Sequence, residues 1–158
     1  MKIVFGLIIV VLSTYLGYLF SQKYVSKKNF YLDFFAFHKK LKNEVGFSSN
    51  SIKNIIERTE ITKKSHFNVV LENYFLQNNF NEIKLDKHIF SNDDTEYVKK
   101  YISNIGSLDK KTQLEFLYSC DVELQEKVYK SEQEAKKYKS LCVKLGFLIG
   151  LIGMIILI

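Results

Sequence analysis

The chain has 158 residues, no proline, seven glycines and a formal charge of +6. That length allows one small domain beside membrane segments, and so few turn-forming residues exclude a β-rich fold. No G-x-G-x-x-G or G-x-x-x-x-G-K-[ST] stretch is present, which excludes a glycine loop that cradles nucleotide phosphates.

Charge is segregated along the chain. Residues 23–53 carry seven lysines against Asp33 and Glu44, and residues 127–144 carry six lysines against Glu132 and Glu134. Between them, residues 54–126 carry nine basic and thirteen acidic side chains. Both basic blocks border an apolar segment, the pattern of a domain whose two ends meet an anionic membrane face. Nucleic acid is not an expected partner, because Arg58 is the lone arginine and no nucleic-acid motif accompanies the lysines.

Ile3 to Gln22 is a run of 20 uncharged residues between Lys2 and Lys23, long enough to cross a bilayer. A cleaved signal peptide is the alternative. The run exceeds a signal core, and Tyr15 to Phe20 places bulky residues where cleavage wants small ones, so an uncleaved anchor is expected. Lys23, Lys27 and Lys28 follow it while only Lys2 precedes, which predicts a cytoplasmic domain after the anchor. Phe30, Phe34, Phe37, Leu41 and Val45 then recur at spacings of 4, 3, 4 and 4, an amphipathic helical stripe. Gly46 ends the pattern, so residues 3–45 are expected to form one long helix.

Short helices are expected in the middle. Ile52, Ile55 and Ile56 mark one that reaches Arg58. Another begins near Ser65, carries Phe67, Val70, Leu71, Tyr74 and Phe75 on one face, and fades at Asn78-Asn79. Residues 80–90 read as a short helix or an irregular connection. Ser91-Asn92-Asp93-Asp94 is a helix-cap signal, and Tyr97, Val98, Tyr101, Ile102 and Ile105 follow at helical spacing, with Gly106 at the C′ position.

The last helix is expected to start with Ser107 or Asp109 as cap and to run unbroken into the apolar tail. Leu117, Leu124, Val128, Ala135, Tyr138, Cys142 and Leu145 lie close to a heptad, with Asp121 and Ser131 interrupting it. Leu145 to Ile158 is 14 uncharged residues, about 21 Å of helix against a hydrocarbon core of about 30 Å. A short second span, extended by snorkelling of Lys144, is expected in preference to a re-entrant tail. The expected fold is all-α, a small antiparallel helical bundle flanked by N- and C-terminal transmembrane helices. Its parts are residues 1–22, a first span; 23–144, a cytoplasmic helical domain; and 145–158, a short second span.

Ser13/Gly17 and Gly146/Gly150 are small-x-x-x-small pairs, and Gly153 adds a further small residue. Such pairs let helix backbones approach closely in lipid, so these five are the candidate transmembrane packing residues, within one chain or between copies. Glycine is also simply common in membrane helices. Cys120 and Cys142 are 22 residues apart on one expected helix, about 33 Å, which excludes a bond between them and fits a reducing compartment. His38, His66 and His88 fall in three segments without ligand spacing and read as surface or partly buried histidines. No catalytic constellation, metal site or cofactor site is expected. The turn Gly106-Ser107-Leu108-Asp109 followed by Gln113 is the most specific soluble feature. Gly106, Asp109 and Gln113 are the candidate partner-binding residues, although a helix corner alone would explain the first two.

Taken together, several features resemble one family, the stage III sporulation protein AB family of spore-forming bacteria. They are a first span entering an amphipathic helix, a small helical domain, the Gly106/Asp109/Gln113 turn, and the tail Lys144-Leu-Gly-Phe-Leu-Ile-Gly-Leu151. The resemblance covers nearly the whole chain. It departs at Asn50-Ser51, where the family often has proline, and in lacking the tryptophan often found in the middle region. The resemblance implies an inner-membrane platform subunit like those of type II secretion and type IV pilus systems. It would sit in the mother-cell membrane around the forespore and dock a cytoplasmic secretion-type ATPase. Other stage III subunits, membrane lipid and further copies of the chain are the other implied partners. A small pore-forming or holin-like membrane protein is the alternative function, disfavoured by the long amphipathic domain.

Overall fold

A computed structural model describes residues 2–47, 66–75, 85–105 and 107–157. The helix expected at 52–58, the C′ residue Gly106 and residues 80–84 of the 80–90 connection lie outside the described residues. Those described form four helices and no strand: α1 (Lys2–Phe47), α2 (His66–Phe75), α3 (Asn92–Asn104) and α4 (Lys110–Leu157). The chain divides into two compact units, one made of residues 1–28 and 130–158, the other of 29–129.

The first unit is a pair of apolar helical segments. α1 and α4 each contain a window apolar enough to cross a membrane, with mean hydropathies of 2.3 and 2.4, and only 11% of either window is buried. A core helix of a water-soluble protein would bury far more of such a window. Large apolar side chains instead point outward, among them Phe5, Val11, Phe20, Ile149 and Ile156. A surface of that kind has lipid as its matching solvent.

The second unit is a bundle with an aromatic core. The stripe Phe30, Phe34, Phe37, Leu41 and Val45 is buried along its length, as its spacing predicts. Phe67 on α2 lies flat against Phe34 at 4.5 Å between ring centres and edge-on to Phe30 at 5.4 Å. Tyr101 on α3 meets Phe34 edge-on at 4.7 Å. Mixed stacked and edge-on contacts match the positive edges of the rings to their negative faces. Leu117 and Leu124 of α4 close the core.

The helix starts follow from capping. Ser91 caps α3: its hydroxyl accepts from the Asp94 amide, and the Asp94 carboxylate accepts in return from the Ser91 amide, each at 3.1 Å. This reciprocal box satisfies two donors that a helix start would leave orphaned. Asp109 caps α4 by accepting from the Lys111 and Thr112 amides at 3.1 and 3.2 Å. Ile89 and Phe90 both donate backbone bonds to the Asp86 carbonyl, so the connection into α3 is a turn.

Candidate functional site

Three arrangements stand out from the packing. The first lies in the apolar helix pair, where two backbones come into direct contact. A Cβ on Gly17 would collide with the Cys142 carbonyl, and one on Gly146 would lie 2.6 Å from the Ser13 carbonyl. A Cβ on Gly150 would lie 2.7 Å from the Val10 Cα, and one on Gly6 would lie 2.6 Å from Met154 Cγ. Gly153 is looser, at 3.2 Å from Ile9 Cγ2. The Ser13 hydroxyl donates to the Gly146 carbonyl at 2.6 Å, a bond possible only at this separation. Facing residues rise on one helix as they fall on the other, so the pair is antiparallel. Tyr24 and Tyr138 continue the same register, stacked at 4.4 Å with 16° between ring planes.

The second arrangement is a pair of polar clamps in the bundle. In one, the Tyr31 hydroxyl on α1 donates to Asp94 of α3 at 2.5 Å, and Lys127 of α4 stands 3.7 Å from the same carboxylate. In the other, the fully buried His38 of α1 bonds to the Tyr101 hydroxyl on α3 at 2.8 Å and to Asp121 on α4 at 2.9 Å. Lys42 holds the second oxygen of Asp121. A carboxylate only accepts, so His38 carries its proton on Nε2 and its Nδ1 accepts from Tyr101. Each clamp joins α1, α3 and α4, and the tyrosine and histidine partners are both 63 residues apart. Equal offsets mean that α1 and α3 run parallel here.

The third is the corner leading into α4. Asp109, Lys110, Lys111 and Thr112 are exposed, whereas Gln113 is only 2% exposed. Gln113, Leu117, Cys120 and Leu124 are buried at spacings of 4, 3 and 4. Gln113 therefore begins the buried seam of α4, and the corner's outer surface belongs to its neighbours. Hydrogen bonds from the Thr112 side chain and amide hold the Asp109 carboxyl below its ordinary value.

None of these groups is poised for covalent chemistry. Tyr101 has the hydrogen-bonded histidine that a nucleophile needs, but burial pushes its hydroxyl far up in pKa and leaves it 1% exposed. A cleft of about 250 Å³ beside it is lined by Tyr97, Lys100, Tyr101, Phe116, Ser119, Cys120 and Glu123. Burial raises the pKa of the Cys120 thiol, away from the reactive thiolate. No group of metal-ligating side chains forms among the described residues.

The family model described as stage III sporulation protein AB matches residues 2–158. The chain belongs to the stage III sporulation protein AB family. Among curated proteins and among solved structures nothing matches it.

In this family member the small residues of the apolar ends converge: Ser13, Gly17, Gly146, Gly150 and Gly153 all lie on the contact between the two helices. Of the corner residues, Asp109 is an exposed cap and Gln113 is a seam residue. Gly106 lies outside the described residues. Two groups were missed. Gly6 belongs to the helix contact, and its place seven residues before Ser13 signals the same face. His38 differs from the expected surface or partly buried histidine. It follows Phe37 and stands four residues after Phe34, within the buried stripe, where only Tyr101 and Asp121 make a polar ring tolerable.

The helix contact predicts that Gly146→Leu separates the apolar pair. In a Cys120→Ser/Cys142→Ser chain, an Ile9→Cys/Gly153→Cys pair should cross-link on mild oxidation, and adding Gly146→Leu should abolish most of that product on a denaturing gel. The His38 clamp predicts a pH effect. Burial lowers the His38 pKa below its ordinary 6.5, outweighing the opposing pull of Asp121. Partial burial opposes ionisation of Asp121, but the bonds from Lys42 and His38 prevail and hold its pKa below 3.8. Neutral His38 thus contributes stability above pH 6.5, which is lost as pH falls below that value while Asp121 stays charged. The Tm of the detergent-solubilised chain should be lower at pH 5 than at pH 7.5, and His38→Asn should flatten that slope.

Proposed function

We infer that this chain is a membrane-embedded scaffold, a platform subunit of the secretion-like complex joining mother cell and forespore during endospore formation. The family supports a role in stage III of sporulation, and it is not a known enzyme family. In this reading both apolar segments cross the outer forespore membrane. The 29–129 bundle faces the mother-cell cytoplasm and docks a secretion-type ATPase together with other stage III subunits.

The observation that carries docking is the corner into α4. It presents a contiguous exposed run, Asp109 to Thr112, on a helix start whose next residue is buried. A cap held by backbone bonds and anchored beneath by Gln113 is a rigid place to present charge. The packed aromatic core of the bundle supports a scaffold over the pore-forming alternative, since a pore needs little beyond its spans.

Both parts of the reading are testable. Pull-down of the stage III secretion-type ATPase by the full-length chain should weaken by about tenfold in an Asp109→Asn/Lys110→Gln/Lys111→Gln variant, in line with the loss of several rim charges. Asparagine keeps the cap, so the Tm should hold, and undiminished recovery would leave the corner a purely structural cap. For the topology, Val122 is 75% exposed whereas the native Cys120 is buried. A Val122→Cys residue in the cysteine-free chain should react with a membrane-impermeant maleimide only after cells are permeabilised. Labelling in intact cells would place the bundle outside.

A further inference from the structure

We propose that the face of α4 carrying Lys137, Ser140 and Lys144 is a binding site for the phosphate headgroup of an anionic phospholipid. The proposal rests on the reading of both apolar segments as membrane spans.

The register of the helix pair creates the site. Gly17 lies against Cys142 and Gly146, Ser13 against Gly146, and Val10 against Gly150. Lys144 is therefore level with Gly17. The uncharged stretch of α1 continues to Gln22, so Lys144 stands about 8 Å inside the end of that stretch at 1.5 Å per residue. Its neighbours Ser140 to Val143 carry no charge, and Lys139 is the next ion outward. One ammonium thus interrupts a segment of α4 that otherwise matches the depth of α1.

That ammonium has no ion-pair partner among the described residues, and Lys144 is exposed on the outside of the pair. Side chains on a helix lean toward its N-terminus. On α4 that direction runs from Lys144 toward Lys137, out of the hydrocarbon and up to the headgroups. Lys137 is seven residues earlier and exposed on the same face, and Ser140 lies between them, also exposed. Two lysines, one reaching up and one at the interface, bracket a phosphodiester with a hydroxyl between them.

Charge selects the occupant. Besides Lys2 at its far end, the same unit carries Lys23, Lys27, Lys28, Lys130, Lys136, Lys137, Lys139 and Lys144 against Glu132 and Glu134. The surrounding potential is positive, so a lipid with net negative charge is favoured over a zwitterionic one. Lys139 is equally charged but lies on another face of α4, five residues before Lys144 and two after Lys137, which makes it the natural control.

The full-length protein would be reconstituted in nanodiscs of equal phosphatidylglycerol and phosphatidylcholine, released into detergent, and its retained lipids counted by native mass spectrometry. Retention of phosphatidylglycerol over phosphatidylcholine by the wild type, on the order of tenfold, and its loss in Lys137→Gln/Lys144→Gln but not in Lys139→Gln, would support the site. Equal loss in the control would reduce it to diffuse charge and overturn the proposal, as would equal retention of both lipids. Displacement of the lipid by millimolar inorganic phosphate would also overturn it, by assigning the site to a free anion. Flotation of the wild type with liposomes at high salt separates the two readings. Protein that floats without lipid preference refutes only this site, whereas protein that does not float refutes the spans beneath it.

Discussion

The direct contact of two helix backbones at Gly17 and Gly146 is the constraint from which the apolar half of this protein follows. Neither position accepts a Cβ without striking a backbone atom. In lipid, apolar side chains gain nothing by leaving one apolar surroundings for another, so helices associate through close packing and polar bonds. The Ser13 bond to the Gly146 carbonyl is available only at that separation, and it pins the register to one value. With the register set, the uncharged tail of α4 and the uncharged stretch of α1 can be compared level by level. Ser140 to Val143 come level with Leu19 to Gln22, and exposed Lys144 comes level with Gly17.

The helical bundle solves a different problem by a different route. Here water is the solvent and aromatic burial around Phe34 supplies the driving force, but burial alone does not fix how three helices slide along one another. The Asp94 and His38 clamps do. Each places one polar group of α1, α3 and α4 at a common point, and two such points fix a relative shift. Buried polar groups that find all their partners only in one arrangement penalise the others. Asp94 serves twice, since it also completes the capping box of α3.

A scaffold role fits this division of labour. Burial raises the pKa of Tyr101 and Cys120 in the interior of the bundle, while the residues at the corner into α4 are polar, exposed and held by backbone bonds. Interfaces draw affinity from groups that need little ordering on binding, and a capped helix start is such a group. The lysine-bearing face of α4 would add a second kind of contact, with lipid, at the other end of the same helix.

The four described helices were legible from residue spacing. The stripe from Phe30 to Val45, the Ser91 cap and the uncharged run to Gln22 each follow from local periodicity or local chemistry, which act within a few residues. Membership of the sporulation family was legible too, because its motifs are contiguous. What spacing could not reveal was pairing between residues far apart in the chain. Asp121 looked like an interruption of a heptad, and His38 like an incidental histidine, until each was seen to satisfy the other across the bundle. Gln113 could be read from sequence only as part of a turn, and the fold shows it as the first buried position of a seam. Glycines mark where a close approach is permitted, but only the facing helix says which backbone approaches and at what height. Periodicity is a property of one helix, and register is a property of two, so the elements came from sequence and the level of Lys144 against Gly17 came from the fold.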